Sequence, residues 1–218
     1  MCSSDLEVEI EGSPFALPFG GTLAFGDFKA SGTLAPAELL LSTFEARALD
    51  GFVTGNARLR WSNAWSLEGE IAVRNIDASV IAAPLVSAGR MEGKGNYVMR
   101  APSADRLEST ARLEGAFVVQ KGTLGTVDLT QLLQGSGAPG GNTLFSEMTG
   151  NVVASAAGTQ VRQVRLIAGL LNATGDVALD PQKNLAGRLQ AELRTPGGTQ
   201  ARGALSLGGT LSSPQVRR

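Results

Sequence analysis

The sequence predicts a mainly β protein: a long curved antiparallel sheet that forms an open groove or a partly closed barrel, with two or three short helices at the connections. Three observations support this prediction. Apolar and polar residues alternate in segments about one strand long, turn residues separate these segments, and the chain holds 28 glycines while aromatic residues make up only 5%. Short strands and abundant glycine allow a sheet to twist and curl.

The first part of the chain consists of strand patterns. Residues 6–11 alternate large aliphatic residues with three glutamates, which we assign to the solvated face of a strand rather than to a metal or acid site. Pro14 and Pro18 predict an irregular or edge strand. Asp50-Gly51 is a hairpin signal. Around it, the patterns predict strands over 22–34, 38–49, 52–61 and 65–74.

Short helices are predicted at the connections further along the chain. Asp77 is a candidate N-cap for a helix over 78–83 that ends before Pro84. A second helical turn is predicted over 103–108 and a third over 127–133, with Asp128 near its start. A strand over 91–100 lies between the first two, and a glycine-rich loop over 135–141 follows the third.

Six strand patterns follow one another in the last hundred residues. Leu185, Leu189 and Leu193 are spaced by four, which suits a helix as well as a strand, but Gly187 inside the segment and Pro181 before it favour the strand. The six patterns predict strands over 113–122, 143–150, 164–171, 173–180, 185–194 and 203–208.

Composition excludes several classes of function. The chain has no histidine, one cysteine (Cys2) and a net charge of -1, so we expect no catalytic triad, no intrachain disulfide and no nucleic-acid partner. The glycine-rich segment 89–95 lacks the spacing and the hydroxyl residue of a phosphate loop. Asp176 and Asp180 are assigned to solvent, and Arg162 and Arg165 are predicted to point to opposite faces of a strand. We therefore predict a protein that is not an enzyme and has no cofactor and no metal.

The apolar face of the C-terminal strands is the predicted functional surface. A long sheet must cover such a face with another layer, close on itself, or fill it with a ligand. Two alternatives stay open: a core filled by the protein's own side chains, and a trough that binds acyl chains. The candidate lining residues are Phe117, Val119, Val164, Leu166, Val177, Leu179, Leu185, Leu189, Leu193, Leu205 and Leu207.

The C-terminal half resembles the C-terminal region of the AsmA family of Gram-negative bacteria, and through it the TamB-like and YhdP-like periplasmic lipid-bridging proteins. The resemblance depends on the order of short motifs: a strand into a glycine turn and an Asp-Leu pair over 113–129, Thr-x-Phe over 143–150, and the segments 164–180 and 207–216. Met148 stands where the family usually has leucine. The resemblance covers roughly residues 71–216 and is strongest after Leu113.

The resemblance implies a curved β-groove with an apolar interior and a role in outer-membrane biogenesis and phospholipid movement between the two membranes. It also implies a periplasmic protein that an N-terminal helix holds in the inner membrane. The sequence shows no such helix pattern, so we expect this chain to be a fragment. We assign residues 1–70 to a β-strand region that continues the sheet and residues 71–218 to an AsmA-like domain. The alternative is a non-enzymatic assembly module with a self-filled core that binds an envelope protein through its sheet edges.

Overall fold

A computed structural model describes residues 6–12, 15–18, 22–135 and 140–218. Cys2, Pro14 and most of the predicted loop over 135–141 lie outside the described residues. Within the described ranges the chain forms fourteen strands, two α-helices and two single 3-10 turns. The turns span Ala104–Arg106 and Glu108–Thr110. This composition confirms the predicted mainly β class with short helices at the connections.

The strands are numbered in chain order and most extend beyond the segments that the sequence predicts. They are β1 (Leu6–Gly12), β2 (Phe15–Pro18), β3 (Thr22–Ala35), β4 (Glu38–Ala48), β5 (Gly51–Arg60), β6 (Trp65–Asp77), β7 (Val86–Ala101), β8 (Arg112–Leu124), β9 (Thr143–Ser155), β10 (Gly158–Ala168), β11 (Leu171–Leu179), β12 (Leu185–Thr195), β13 (Gly198–Thr210) and β14 (Ser213–Arg217). Segment 185–195 is a strand, as predicted.

All fourteen strands belong to one sheet, and from β3 onwards each strand pairs with the next strand in sequence. The order runs from β1 and β3 through each following strand to β14, and β2 pairs with β3 beside this path. Among the described residues no pairing joins β14 to β1, so the strand order is open rather than the ring of a barrel. No helix in the described part of the chain is long and apolar enough to cross a membrane.

The two α-helices begin at the predicted aspartates. Helix α1 spans Ala78–Ala82, and the Asp77 carboxylate accepts the backbone N–H of Ser79 at 2.9 Å. Helix α2 spans Leu129–Gln134, and the Asp128 carboxylate accepts two backbone N–H groups at 3.0 Å. Each cap satisfies donors that the first helical turn leaves free, which fixes where these very short helices start.

The chain divides into two compact units, which are described separately. The N-terminal unit comprises Met1–Ile76, Glu92–Gly115 and Ala154–Ala156, and the C-terminal unit comprises Asp77–Met91, Ala116–Val153 and Ala157–Arg218. The predicted regions 1–70 and 71–218 stay a prediction.

Aromatic rings lie over glycines of neighbouring strands. In the C-terminal unit the arrangement is reciprocal: the Phe145 ring of β9 covers Gly122 of β8, and the Phe117 ring of β8 lies 3.0 Å from where a Cβ at Gly150 of β9 would be. In the N-terminal unit the Phe44 ring covers Gly55 in the same way. Because a side chain at these three glycines would meet the ring, each of them forms a matched pair with its phenylalanine.

Candidate functional site

An apolar face extends across the strands of the N-terminal unit. The strand register places Leu34 opposite Leu39, Leu39 opposite Leu59, and Leu59 opposite Leu67. Cross-strand partners share a face of the sheet, so these leucines form one apolar row. The row and the parallel positions beside it make up the N-terminal apolar face: Leu34, Leu39, Leu41, Phe44, Leu59, Leu67, Ile71 and Val73.

The eight named side chains are half-buried, whereas Ala30, Ala46 and Val53, which the register places on the same side of the sheet, are buried. Within the described residues, the helical segments that belong to this unit are the two 3-10 turns between β7 and β8. An antiparallel sheet with one apolar face ordinarily packs that face against another layer. Here the apolar face stays partly open to solvent.

The opposite face of the N-terminal unit is charged. Glu38 accepts a hydrogen bond from the Arg60 Nε at 2.7 Å, and Arg60 also lies 3.7 Å from Glu68. Arg100 extends this row to β7, with 3.8 Å between its guanidinium and Glu68. The hydrogen bond from Arg60 lowers the pKa of Glu38 below its ordinary value. The sheet of this unit is therefore two-sided, with ion pairs on one face and half-buried aliphatic groups on the other.

Tyr97 lies on the N-terminal apolar face and covers Gly69, which alternates with Leu67 and Ile71. Its hydroxyl is 2.8 Å from where a Cβ at Gly69 would be, and it donates a hydrogen bond to the Asn56 carbonyl at 2.9 Å. Burial raises the pKa of Tyr97 to about 12, because the charged phenolate would lose its hydration. The pKa of Tyr97 thus indicates how well this part of the face excludes water.

We expect the single tyrosine of the chain to ionise late. The near-ultraviolet absorbance of the phenolate should rise with a midpoint near pH 12 in the folded protein. An unfolded chain ionises tyrosine near pH 10, so the raised pKa means that stability is intact below pH 10 and declines as the pH rises towards 12. Tyr97→Phe should abolish the absorbance change, and a wild-type midpoint near 10 would show that this position is wet.

The apolar face of the C-terminal unit differs from that of the N-terminal unit, because a helix covers part of it. Helix α2 packs on β12 and β13, and a methyl group of Leu133 lies 3.1 Å from where a Cβ at Gly203 would be. Thr143 fixes the start of this helix: its hydroxyl donates to the Val127 carbonyl at 2.8 Å and accepts the Leu129 N–H at 2.9 Å. Side chains from α2 therefore fill part of the face that the sequence marks as functional.

The strand register confirms that the candidate residues of β10 to β13 share one face. Leu189, for example, lies opposite both Gly175 and Leu205. The degree of burial divides the eleven candidates. Phe117, Val177, Leu179 and Leu189 are half-buried, whereas seven are buried by the chain itself: Val119, Val164, Leu166, Leu185, Leu193, Leu205 and Leu207. Whether any of the eleven contacts lipid stays a prediction.

One sequence prediction about this unit is wrong. Arg162 and Arg165 lie on the same face, because the register of β10 against β11 shifts between Val161 and Val164. This β-bulge places two residues of β10 opposite one residue of β11, with Gln163 at a φ of 53°. The extra residue reverses the alternation that strict strand periodicity predicts.

The structure also places the carboxylates that the sequence analysis assigned to solvent. The three glutamates of β1 are exposed, and Glu11 lies 3.3 Å from Lys29 of β3. Asp176 is exposed as predicted, and Asp180 accepts hydrogen bonds from the Asn184 backbone and side-chain amide in the turn before β12. Within the described residues no group of three or more acidic or cysteine side chains forms a metal-binding cluster.

Sequence reasoning missed the N-terminal apolar face. Leu39 and Leu41 of β4 and Leu59 of β5 were a visible signal, but strand periodicity does not tell which faces a helix will cover. Comparison of the chain with family models, with curated proteins and with solved structures found no match. The resemblance to the AsmA family therefore depends on the sequence motifs alone.

Proposed function

We propose that this protein binds phospholipid acyl chains along the N-terminal apolar face and acts without enzymatic chemistry in lipid movement between the inner and outer membranes of Gram-negative bacteria. The observation that carries the proposal is a row of aliphatic side chains across several strands that stays half-exposed. Large exposed apolar surfaces on a folded protein are typical of sites for lipids or partners. The motif resemblance adds a periplasmic location and an inner-membrane anchor in the full-length protein to the proposal.

Binding would be passive. Each methylene group that moves from water onto the apolar face contributes about 0.8 kcal/mol. An acyl chain laid across Leu39, Leu59 and Leu67 follows the cross-strand row, where the apolar partners are adjacent. The phosphate headgroup would stay at the solvated rim, since its burial without partners is costly. The half-buried residues of the C-terminal unit (Phe117, Val177, Leu179 and Leu189) are further candidates for the same contact.

A second candidate function is an assembly module with a self-filled core. The observation that favours it is helix α2, which fills part of the apolar face of the C-terminal unit with its own leucines. In that case an envelope protein would pair with an edge strand of the sheet, and lipid would play no part.

Mass spectrometry of lipid that co-purifies with the protein separates the two candidates. We expect phospholipid to be recovered after expression in a Gram-negative host and extensive washing. A soluble protein of similar size, purified by the same steps, provides the background. Recovery no higher than that background would overturn lipid binding and favour the assembly module.

A further inference from the structure

The polar face of the last five strands is strongly basic, although the whole chain carries a net charge of -1. We name it the arginine face. Its carboxylates are Asp176 and Glu192, and the register places them among six exposed arginines. These arginines are Arg162, Arg165, Arg188, Arg194, Arg202 and Arg217.

Most of this positive charge is not neutralised within the chain. Glu192 lies 3.1 Å from Arg194 and 3.3 Å from Arg202, so one carboxylate serves two guanidinium groups. These neighbours, with the hydroxyl of Thr199, lower the pKa of Glu192 to about 2. In the part of the chain that the structure describes, Arg165 and Arg188 have no ion-pair or hydrogen-bond partner on their side chains.

The arginines surround an open depression rather than a closed pocket. It encloses about 580 Å³ and is lined by Arg165, Arg194 and Arg202, with the Glu192 carboxylate and amide and hydroxyl side chains between them. Guanidinium groups donate paired hydrogen bonds that match phosphate oxygens. The arrangement therefore fits several phosphate groups spread over a surface better than a single enclosed anion.

Two exposed leucines lie at one end of the arginine face. Leu144 of β9 is 76% exposed and points away from the core side, where its neighbours Thr143 and Phe145 are buried. The hydroxyl of Ser146, two residues later, donates to the Ile167 carbonyl at 3.0 Å and so places this end of β9 beside the end of β10.

The second leucine lies two residues after the end of β10. Leu170 is 55% exposed in the turn to β11, and its carbonyl accepts the Arg194 N–H at 2.9 Å. Binding at a membrane interface gains both from apolar side chains that enter the headgroup region and from basic residues that attract anionic lipid.

We propose that the arginine face docks on an anionic lipid bilayer, with its arginines on lipid phosphates and with Leu144 and Leu170 inserted between headgroups. A nucleic acid would supply the same phosphates, but residues 158–218 contain no aromatic side chain on which a base could stack. A soluble polyanion also offers no apolar region into which Leu144 and Leu170 could insert. This docking is independent of acyl-chain binding, because it uses the polar face of the C-terminal unit.

Vesicle co-sedimentation of the whole chain tests this proposal. We expect binding to vesicles that mix phosphatidylglycerol with phosphatidylcholine, little binding to phosphatidylcholine alone, and a decrease at high salt. Each arginine near an anionic surface contributes roughly a fivefold gain in partitioning, so Arg165→Gln with Arg188→Gln should weaken binding about thirtyfold. Leu144→Ser with Leu170→Ser should also weaken it.

Matched variants separate docking from general charge and hydrophobicity. Arg106→Gln removes an exposed arginine outside the face, and Val80→Ser with Ile81→Ser removes exposed aliphatic groups from α1; both should bind vesicles as wild type does. Unchanged binding in either the arginine or the leucine double variant would overturn the proposal. Equal affinity for single-stranded DNA, unaffected by the leucine variant, would identify a soluble polyanion instead. Leu41→Asp should leave vesicle docking intact, so that a failure of the acyl-chain proposal can be told apart from a failure of the docking proposal.

Discussion

Leu41→Asp is expected to remove most of the phospholipid that co-purifies with the protein. Leu41 lies on the N-terminal apolar face, opposite Ala57 of β5, and is half-buried. A carboxylate at this position would have to lose water against acyl chains without a partner. That cost exceeds the roughly 1.4 kcal/mol that corresponds to a tenfold change in affinity, so at least a tenfold loss of bound lipid is expected. Quantitative mass spectrometry of extracted lipid measures it.

The adjacent residue offers a matched control. Leu40 is in the same strand and equally half-buried, but the register places it opposite Arg58 on the charged face. The Nε of Arg58 is buried without a hydrogen-bond partner among the described residues, 3.7 Å from the Glu38 carboxylate, so an aspartate at position 40 would face a cation across the strands. Leu40→Asp should therefore keep both the fold and the lipid. If the two variants lose lipid equally, the apolar face is not the binding surface.

Leu133→Ala is expected to lower the free energy of unfolding by about 2–5 kcal/mol. Leu133 is 2% exposed, and its side chain joins α2 to the strands beneath it through contact with Gly203. Truncation would leave a cavity that glycine cannot fill. Urea denaturation followed by circular dichroism measures the change, and increased binding of a hydrophobic dye should accompany it, since the face beneath α2 would be less well covered.

Val80→Ala is the control for this variant. Val80 is in the other short helix and is 56% exposed, so its truncation should change stability by no more than about 0.5 kcal/mol. A small effect of Leu133→Ala, similar to that of the control, would mean that α2 does not hold the core of the C-terminal unit. The helix would then be a removable cover, and the apolar residues below it would become candidates for lipid contact.

The alternation of apolar residues was sufficient to predict the mainly β fold, and aspartates before short apolar runs were sufficient to place α1 and α2. Strand β14 was missed because Val216 is the only large aliphatic residue in its five. The first half of β10 was missed for another reason: the bulge at Gln163 interrupts the alternation, and a bulge leaves no reliable mark in a single sequence.

The candidate surface was harder to predict than the fold. The shared face of Val177, Leu189 and Leu205 follows from alternation, because each strand pairs with its neighbour in sequence. Which part of the face is covered depends on where the six residues of α2 pack, and their apolar pattern does not name the strands they contact. The same limit explains why β4 and β5, with Leu39, Leu41 and Leu59, looked like ordinary strands.

The rings that cover glycines have a consequence for how this chain selects its pairing. A slip of two residues between neighbouring strands preserves the alternation of apolar and polar faces, so alternation cannot exclude it. After such a slip, Phe145 would meet a residue with a side chain instead of Gly122, and Phe117 would miss Gly150. Each ring therefore fits only opposite its glycine. The two ring–glycine pairs between β8 and β9 together allow a single alignment of these strands.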